Sequence, residues 1–281
     1  MKKRNVGILH PGAMGVFVAA CIQKGGHTVY WASAGRSSET LRRAEEFQLA
    51  DAGSLAQLCE TCDVLVSVCP PAAAEEVARQ VLEHAFHGLY LDANAISPHR
   101  AARIGRSMEQ AGVTFVDGGI VGGPAWEAGQ TWLYLSAPQA AGAAALFAVC
   151  PMEARIIGAE PGQASALKMC YAAYTKGTTA LLCAILAAAE ELDVRSELEE
   201  QWSRDWEGFA EQTRERVTRV TAKAWRFEGE MAEIAATFQD VGLPAEFHLA
   251  AAQIYGRLAK FKDATQKPTL QEVLGALLQD G

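Results

Sequence analysis

The sequence lacks an excess of positive charge: 25 lysines and arginines stand against 33 aspartates and glutamates, for a net charge of −8. It also lacks any long basic run. Because nucleic acids and anionic membranes attract basic surfaces, we expect neither as a partner. Small molecules are the ligands that this composition favours.

Patterns for metals and disulfides are also scarce. The seven cysteines are an odd number scattered through apolar segments, which is typical of reduced thiols. Cys59 and Cys62 form one C-x-x-C pair, but no second pair and no histidine cluster completes a zinc site. We therefore interpret the pair as structural and predict neither a metal nor a disulfide.

A cleavable apolar segment is missing at the amino terminus, where Met1-Lys2-Lys3-Arg4 leads directly into a strand-like run. We expect a cytoplasmic location on this ground. Half of the 281 residues are apolar, which is enough to bury a large core and predicts two domains.

The first motif is a glycine turn between a strand pattern and a helix pattern that ends near Lys24. The turn, His10-Pro11-Gly12-Ala13-Met14-Gly15, has Gly12 and Gly15 where a dinucleotide-binding G-x-G-x-x-G has its second and third glycines, and His10 where it has the first. Such a turn lets backbone amides at a helix start face a pyrophosphate. The alternative is a plain strand-to-helix turn. The predicted cofactor contacts are His10, Pro11, Gly12, Ala13 and Met14.

The residues after the second strand, Thr28-Val29-Tyr30-Trp31, predict which cofactor binds. An NAD site usually has an acid here to hold the ribose hydroxyls, whereas this chain has no acid before Glu39. It has Ser33, Arg36 and Ser37 instead, and a guanidinium flanked by hydroxyls suits a 2′-phosphate. We therefore predict NADP(H), with an exposed loop arginine as the alternative.

Strand and helix patterns alternate up to about residue 160 and predict a doubly wound α/β sheet. Ligands bind at the carboxyl ends of the strands in such sheets. Two segments there are unusual: the loop from Asp92 to Pro98, and the glycine-rich loop from Asp117 to Pro124. Glycines let a ligand approach the backbone closely. At this edge we predict cofactor contacts from Cys69, Pro70 and Asn94, and substrate contacts from Val121, Gly122 and Gly123.

The segment from Gly162 to Val194 has the composition of one long, mostly buried helix. Near its start, Lys168 shares a face with Ser165, Tyr171 and Thr175. A buried lysine has a lowered pKa suited to proton transfer, so this face is a candidate reaction surface. In the alternative, the Lys168 stem lies on the surface and its ammonium group reaches water.

The remaining chain is entirely helical in pattern, which predicts a Rossmann-type domain at 1–160 and an all-α domain at 161–281, joined by the long helix. Arg214, Arg216, Arg219 and Lys223 form a basic face that we interpret as solvated. The apolar stripes of this domain exceed what its helices can cover, so we expect a homodimer. Three side chains are candidates for substrate contacts: Trp225, Glu230 and His248, the last with a structural role as the alternative.

Four segments together resemble the β-hydroxyacid dehydrogenase and 6-phosphogluconate dehydrogenase superfamily, in order and in spacing. They are the Pro-Gly-Ala-Met-Gly turn, the D-x-N-x-x-S-P loop, the glycines after Asp117, and the helix start Gly162–Lys168. The carboxyl-terminal part resembles that of an uncharacterised branch of this superfamily. The resemblance implies a nicotinamide cofactor in the first domain, Lys168 as the general acid/base, and a dimer.

Two departures from the family pattern concern the substrate. Val121 stands where the family has a serine for the substrate carboxylate, and Ala172 stands where it has an asparagine. We predict an NADP-dependent oxidoreductase that interconverts a carbonyl and an alcohol on a small 3-hydroxy-acid-like substrate. Two alternatives are an imine reductase, although those members usually have Asp or Tyr at the position of Lys168, and a non-catalytic NADPH sensor. Tyr171 completes the predicted substrate contacts.

Overall fold

The structure, a computed structural model, describes residues 2–279. It divides into two units, with the boundary along the chain between Met169 and Cys170. The first unit therefore extends past residue 160 and includes the start of the long helix. We refer to the two parts as the sheet unit and the helical unit.

The sheet unit is built on eight strands in the order β3-β2-β1-β4-β5-β6-β7-β8. All neighbouring strands are parallel except β6 and β7. The order reverses at β1, which is the topology of a doubly wound dinucleotide-binding sheet. The strands are β1 Asn5–Ile8, β2 Thr28–Trp31, β3 Ala50–Asp51, β4 Val64–Ser67, β5 Leu89–Asp92, β6 Thr114–Val121, β7 Trp132–Ser136 and β8 Glu153–Gly158.

Helices cover both faces of this sheet and enclose two apolar cores. One core contains Phe17 and Ile22 of α1, and the other contains Tyr90 and Phe115. Burial on both faces explains why the central strands read as continuous apolar runs. The helices of this unit are α1 Ala13–Lys24, α2 Ser38–Glu46, α3 Leu55–Thr61, α4 Ala74–Glu83, α5 Pro98–Gln110 and α6 Ala140–Ala144.

The structure corrects the prediction for the glycine-rich segment. From Asp117 to Val121 it is strand rather than loop, and it pairs in antiparallel register with β7. The hairpin turn begins only at Gly122, whose φ of +100° requires glycine. A run of glycines has little strand propensity of its own, so the partner strand decides this conformation. The short strand β3 and helices α2 and α3 were not predicted.

The long helix continues past the division between the units, as predicted, but it is not uniform. Helix α7 spans Gln163–Ala172, a π-helical turn spans Ala173–Gly177, and α8 spans Thr178–Glu191. By length and composition alone, the run Gln163–Glu191 is the one helix within residues 2–279 that could cross a membrane, and half of its most apolar window is buried inside the protein. Core helices of soluble proteins pass the same test, so the run is weak evidence for a membrane.

The rest of the helical unit consists of α9 Arg195–Asp205, α10 Phe209–Asp240, α11 Glu246–Leu258 and α12 Leu270–Leu278. The predicted basic face is only partly solvated. Arg216 donates through Nη2 to the carbonyl of Thr175 at 2.7 Å and to the hydroxyl of Thr178 at 2.6 Å. The Tyr255 hydroxyl donates to the carbonyl of Lys176 at 2.7 Å. These bonds satisfy carbonyl groups of the π turn, so Arg216 is structural.

Candidate functional site

The predicted phosphate-binding turn has an open helix start. Helix α1 has no side-chain cap at Gly12 and no acidic residue in its first turn, so its dipole is not neutralised locally. A Cβ atom added to Gly12 would meet nothing within 4 Å, whereas one added to Gly15 would lie 2.1 Å from the carbonyl oxygen of His10. Gly15 is therefore needed for the turn itself. Gly12 leaves free space above the amides, and this geometry fits a pyrophosphate.

His10 and Arg36 lie together at the carboxyl ends of β1 and β2. Burial and, secondarily, the charge of Arg36 lower the pKa of His10 to about 4, so the imidazole is neutral at pH 7. The Arg36 guanidinium donates to the carbonyl oxygens of Leu9 at 2.9 Å and Ala32 at 3.4 Å. It is half-buried there, rather than extended into solvent. The arginine is thus held beside the predicted cofactor turn.

The two predicted serine contacts differ in what they already bind. The Ser37 hydroxyl caps α2 by accepting from the amide of Thr40 at 3.3 Å. The amide of Ser33 donates to the carboxylate of Asp51 at 3.3 Å. Asp51 ends β3, and its place beside Ser33 could not be predicted because a two-residue edge strand has no local sequence pattern. An acidic side chain therefore lies beside the end of β2, although the segment that directly follows β2 has no acid before Glu39.

Asn94 joins the ends of β4 and β5 inside the protein. Its side chain accepts from the amide of Cys69 at 2.6 Å and donates to the Ser67 hydroxyl at 3.0 Å. Asn94 is only 2% exposed, and its hydrogen bonds to Cys69 and Ser67 hold the two strand ends together. The neighbouring Pro70 precedes a single 3-10 turn, and burial raises the pKa of the Cys69 thiol to about 12. The cofactor contacts predicted for Cys69, Pro70 and Asn94 stay predictions.

Four buried polar side chains form one row across the sheet: Ser67, Asp92, Asp117 and Ser136. Each is the register partner of the next on β4, β5, β6 and β7, and all are 1% exposed or less. Burial first, and the Asp117 charge in addition, raise the pKa of Asp92 to about 7. Its Oδ2 has no hydrogen-bond partner among residues 2–279. We call this set the polar row.

Asp117 of the polar row binds the start of α7. Its Oδ2 accepts from the amides of Gly162 at 2.9 Å and Ser165 at 3.0 Å, and its Oδ1 accepts from the Ser165 hydroxyl at 2.6 Å. The Ser136 hydroxyl donates to Asp117 and accepts from the amide of Ala164, both at 3.0 Å. The carboxylate therefore caps the helix from the neighbouring sheet. Ser165 serves this cap.

Lys168 lies one turn further along α7 and is half-buried. Its Nζ donates to the carbonyl oxygen of Ile120 on β6 at 2.5 Å. The helix approaches the strand this closely because residue 119 is glycine: a Cβ atom there would lie 2.6 Å from the Ala164 carbonyl oxygen. The lysine ammonium is thus fixed against the strand that leads to Val121, which is buried, and to Gly122 and Gly123. The structure brings the predicted acid/base next to part of the predicted substrate segment.

Four predicted substrate residues belong to the helical unit, and the structure does not bring them all together. Glu230 forms an ion pair with Lys176, and His248 lies buried between Phe238 and Phe247. Burial lowers the pKa of His248, which fits the structural alternative. Trp225 lies instead under the ammonium group of Lys262, 4.4 Å from the ring centre. Tyr171 is 47% exposed. Their contacts with a substrate stay predictions.

Comparison with known proteins decides the family. Residues 5–146, about half of the chain, match the NAD-binding domain of 6-phosphogluconate dehydrogenase. The chain belongs to this family. Residues 189–258 match DUF1932, a domain of unknown function, so this family member carries its own type of helical domain. The predicted superfamily and the predicted fold class are both confirmed.

Two similar proteins have no assigned function. An uncharacterised 28.5 kDa protein of Methanothermus fervidus is 26% identical over 58% of this chain and 62% of its own length, so less than two thirds of that protein is spanned. MTH1747, a conserved protein of unknown function whose structure resembles 3-hydroxyacid dehydrogenases, is 26% identical with a TM-score of 0.68, covering 91% of this chain and 97% of MTH1747.

Solved enzymes at lower identity share the fold alone. The 3-hydroxyisobutyrate dehydrogenase of Mycobacterium tuberculosis, solved with L-serine, is 17% identical with a TM-score of 0.73, covering 99% of this chain and 100% of the enzyme. Imine reductases also share the fold. These likenesses show the fold, and the family model shows a domain of the NAD-binding type.

Proposed function

We propose that the protein is an NADP-dependent oxidoreductase that interconverts a carbonyl and an alcohol on a small 3-hydroxy-acid-like substrate. The observation that carries this proposal is the position of Lys168, held on β6 beside the glycine segment in a family that binds nicotinamide cofactors. An ammonium group fixed at this strand is suited to exchange a proton with a substrate oxygen. Two similar structures support the substrate class. MTH1747 resembles 3-hydroxyacid dehydrogenases, and the mycobacterial enzyme is a 3-hydroxyisobutyrate dehydrogenase.

The residues of the sheet unit divide the work of such a reaction. The open amides at Gly12 would hold the pyrophosphate, and Arg36 with Ser33 and Ser37 would hold the 2′-phosphate. When bound, the nicotinamide supplies the hydride for reduction or accepts it in oxidation. In reduction, Lys168 gives a proton to the forming alkoxide; in oxidation it takes that proton back. The Ile120 carbonyl orients the ammonium.

The substrate carboxylate must be bound by groups other than the side chain of residue 121. Val121 is apolar and buried and cannot replace the family's serine as a donor. We propose that the backbone of Gly122 and Gly123 supplies these contacts within the sheet unit.

Two alternatives make different predictions. An imine reductase is favoured by the shared fold, whereas Lys168 counts against it because those enzymes usually have Asp or Tyr there. A non-catalytic NADPH sensor is favoured by Val121 and Ala172, because they replace the serine and the asparagine that the family has at these two positions. A sensor needs the cofactor site and no chemistry.

A substrate screen that follows NADPH absorbance separates these functions. The panel contains hydroxy acids, with NADP as the oxidant, and semialdehydes, ketones and imines, with NADPH as the reductant. We expect turnover with a hydroxy acid or its carbonyl counterpart. Turnover with imines alone would assign an imine reductase. Tight NADPH binding with no turnover across the panel would assign a sensor.

We also propose a homodimer in the cytoplasm without a nucleic-acid or membrane partner. Most of the large apolar side chains exposed within residues 2–279 belong to the helical unit, among them Tyr174 at 70%, Leu192 at 70% and Val241 at 69%. A symmetric partner would cover such surface. Light scattering at micromolar concentration is expected to give twice the chain mass. A fully active monomer at that concentration would contradict the dimer.

A further inference from the structure

An acidic side chain, Asp51, lies beside the predicted 2′-phosphate site. Asp51 is the last residue of β3, whose register partner is Trp31, the last residue of β2. Its Oδ1 accepts from the amide of Ser33 at 3.3 Å and from the amide of Gly53 at 2.7 Å. The carboxyl ends of parallel strands share one edge of the sheet, so this carboxylate lies at the ligand edge.

The Asp51 carboxylate is exposed and charged. Although partial burial acts to raise its pKa, hydrogen bonds from Gly53 and Ser33 outweigh it and hold the pKa of Asp51 below the ordinary value. The group is therefore ionised at neutral pH. Its exposure leaves it in reach of a bound ligand.

Arg36 and Asp51 both bond to the backbone of the loop that follows β2. Arg36 donates to the carbonyls of Leu9 and Ala32, and Asp51 accepts from the amide of Ser33. No ion pair joins the two side chains within residues 2–279, where Arg36 donates to backbone carbonyls and Asp51 accepts from backbone amides. Each charge is thus available to a third group, and a 2′-phosphate beside Ser33 would meet attraction from one and repulsion from the other.

We propose that Asp51 is a specificity-determining residue of the cofactor site, which limits the preference for NADPH over NADH by repelling the 2′-phosphate that Arg36 attracts. This inference rests on the proposed use of NADP. NADH carries a ribose hydroxyl at the same position, which a carboxylate tolerates or binds as an acceptor. Asp51 therefore keeps NADH usable in a site that Arg36 alone would reserve for NADPH.

The test is cofactor affinity in Asp51→Asn, measured by fluorescence titration with NADPH and with NADH. Asparagine keeps an acceptor oxygen for the Ser33 and Gly53 amides and removes only the charge. We expect the Kd for NADPH to fall about three- to tenfold at low salt and the Kd for NADH to stay within twofold. The gain should shrink in 0.5 M salt, because salt screens exposed charges.

Glu60→Gln is the matched control, because it removes one exposed carboxylate of α3 and changes net charge equally. We expect no change in either Kd. If Asp51→Asn fails to fold, Asp51→Ser, which also offers an acceptor oxygen without charge, gives the same test. Unchanged NADPH affinity, or equal changes for both cofactors, would overturn the role of Asp51.

The proposed function fails in a different way. A wild-type chain that binds neither dinucleotide would overturn both the proposed function and this inference. A wild-type chain that binds NADPH, with a ratio of affinities that Asp51→Asn leaves unchanged, would overturn the inference alone.

Discussion

Buried polar side chains come from four different strands in the sheet unit, whereas in the helical unit they bond mainly to their own helix. The polar row joins Ser67 to Ser136 across β4–β7. In α10, by contrast, the hydroxyls of Thr218, Thr221 and Thr237 donate to carbonyls three or four residues earlier. The first arrangement brings together side chains from four strands that are distant in sequence, which is what an acid/base site needs.

The difference also appears in the two lysines of the long helix. Lys168, in the sheet unit, donates to a backbone carbonyl of a strand. Lys176, in the helical unit, is paired with Glu230 and lies 4.6 Å from the ring centre of Phe227. Lys168 lies against the strand that leads to the predicted substrate segment, whereas Lys176 joins two helices of the helical unit. We infer that chemistry belongs to the first lysine and stability to the second.

The largest expected effect comes from Lys168→Ala. Loss of a general acid lowers turnover by a factor on the order of 10² or more, while NADPH binding stays normal. The measurement is kcat on the substrate that the screen identifies, with a fluorescence titration of NADPH. Full activity of the variant would show that the mechanism is wrong.

The matched control is Lys176→Ala. It leaves Glu230 without its partner in a pocket where both side chains are about 15% exposed. We expect a loss of unfolding free energy of about 2 kcal/mol, seen in urea titration. If the two variants exchanged phenotypes, the division of roles between the lysines would be refuted.

Asp117→Ala is expected to destabilise the sheet unit by about 3 kcal/mol, because it leaves buried donors of Gly162, Ser136 and Ser165 without an acceptor. It should also lower kcat, since the start of α7 and hence Lys168 lose their anchor. Thermal unfolding and kcat are measured together. Asp117→Asn keeps one acceptor oxygen and should fall between wild type and Asp117→Ala; equal stability of all three would contradict the cap.

Asp92→Asn tests the ionisation of the polar row. Because burial raises the folded pKa of Asp92 to about 7, the contribution of this group to stability is complete below about pH 4 and is lost as pH rises towards 7. The variant cannot ionise there, so its unfolding free energy should gain about 2 kcal/mol on the wild type between pH 5 and pH 7. Parallel pH curves for the two proteins would rule out a neutral Asp92.

Arg36→Asp has the smallest expected effect. The wild type should bind NADPH at least tenfold more tightly than NADH, about 1.4 kcal/mol, and the variant should lose that preference. Arg42→Gln, which removes an exposed arginine from α2, should leave the ratio unchanged. Equal affinity of the wild type for both cofactors would argue against NADP specificity.

Local sequence signals predicted those parts of the fold that local forces control. Helix α5, Pro98–Gln110, has proline at its first position, and the apolar run Leu89–Asp92 forms strand β5, as the alternating strand and helix patterns indicate. The turn at Gly12 and Gly15 was recognisable because its glycines are spaced for close backbone contacts. Composition and period are enough where propensity, capping and burial agree.

Tertiary structure alone decided how the site is assembled. Asp117 caps a helix whose Ser165 is 48 residues away, and Asp51 reaches Ser33 across 18 residues. The glycines at 118 and 119 became strand because β7 pairs with them. A sequence determines which residues can form a strand or a helix; which side chains then meet depends on strand order and register, and these arise from the packing of the whole sheet.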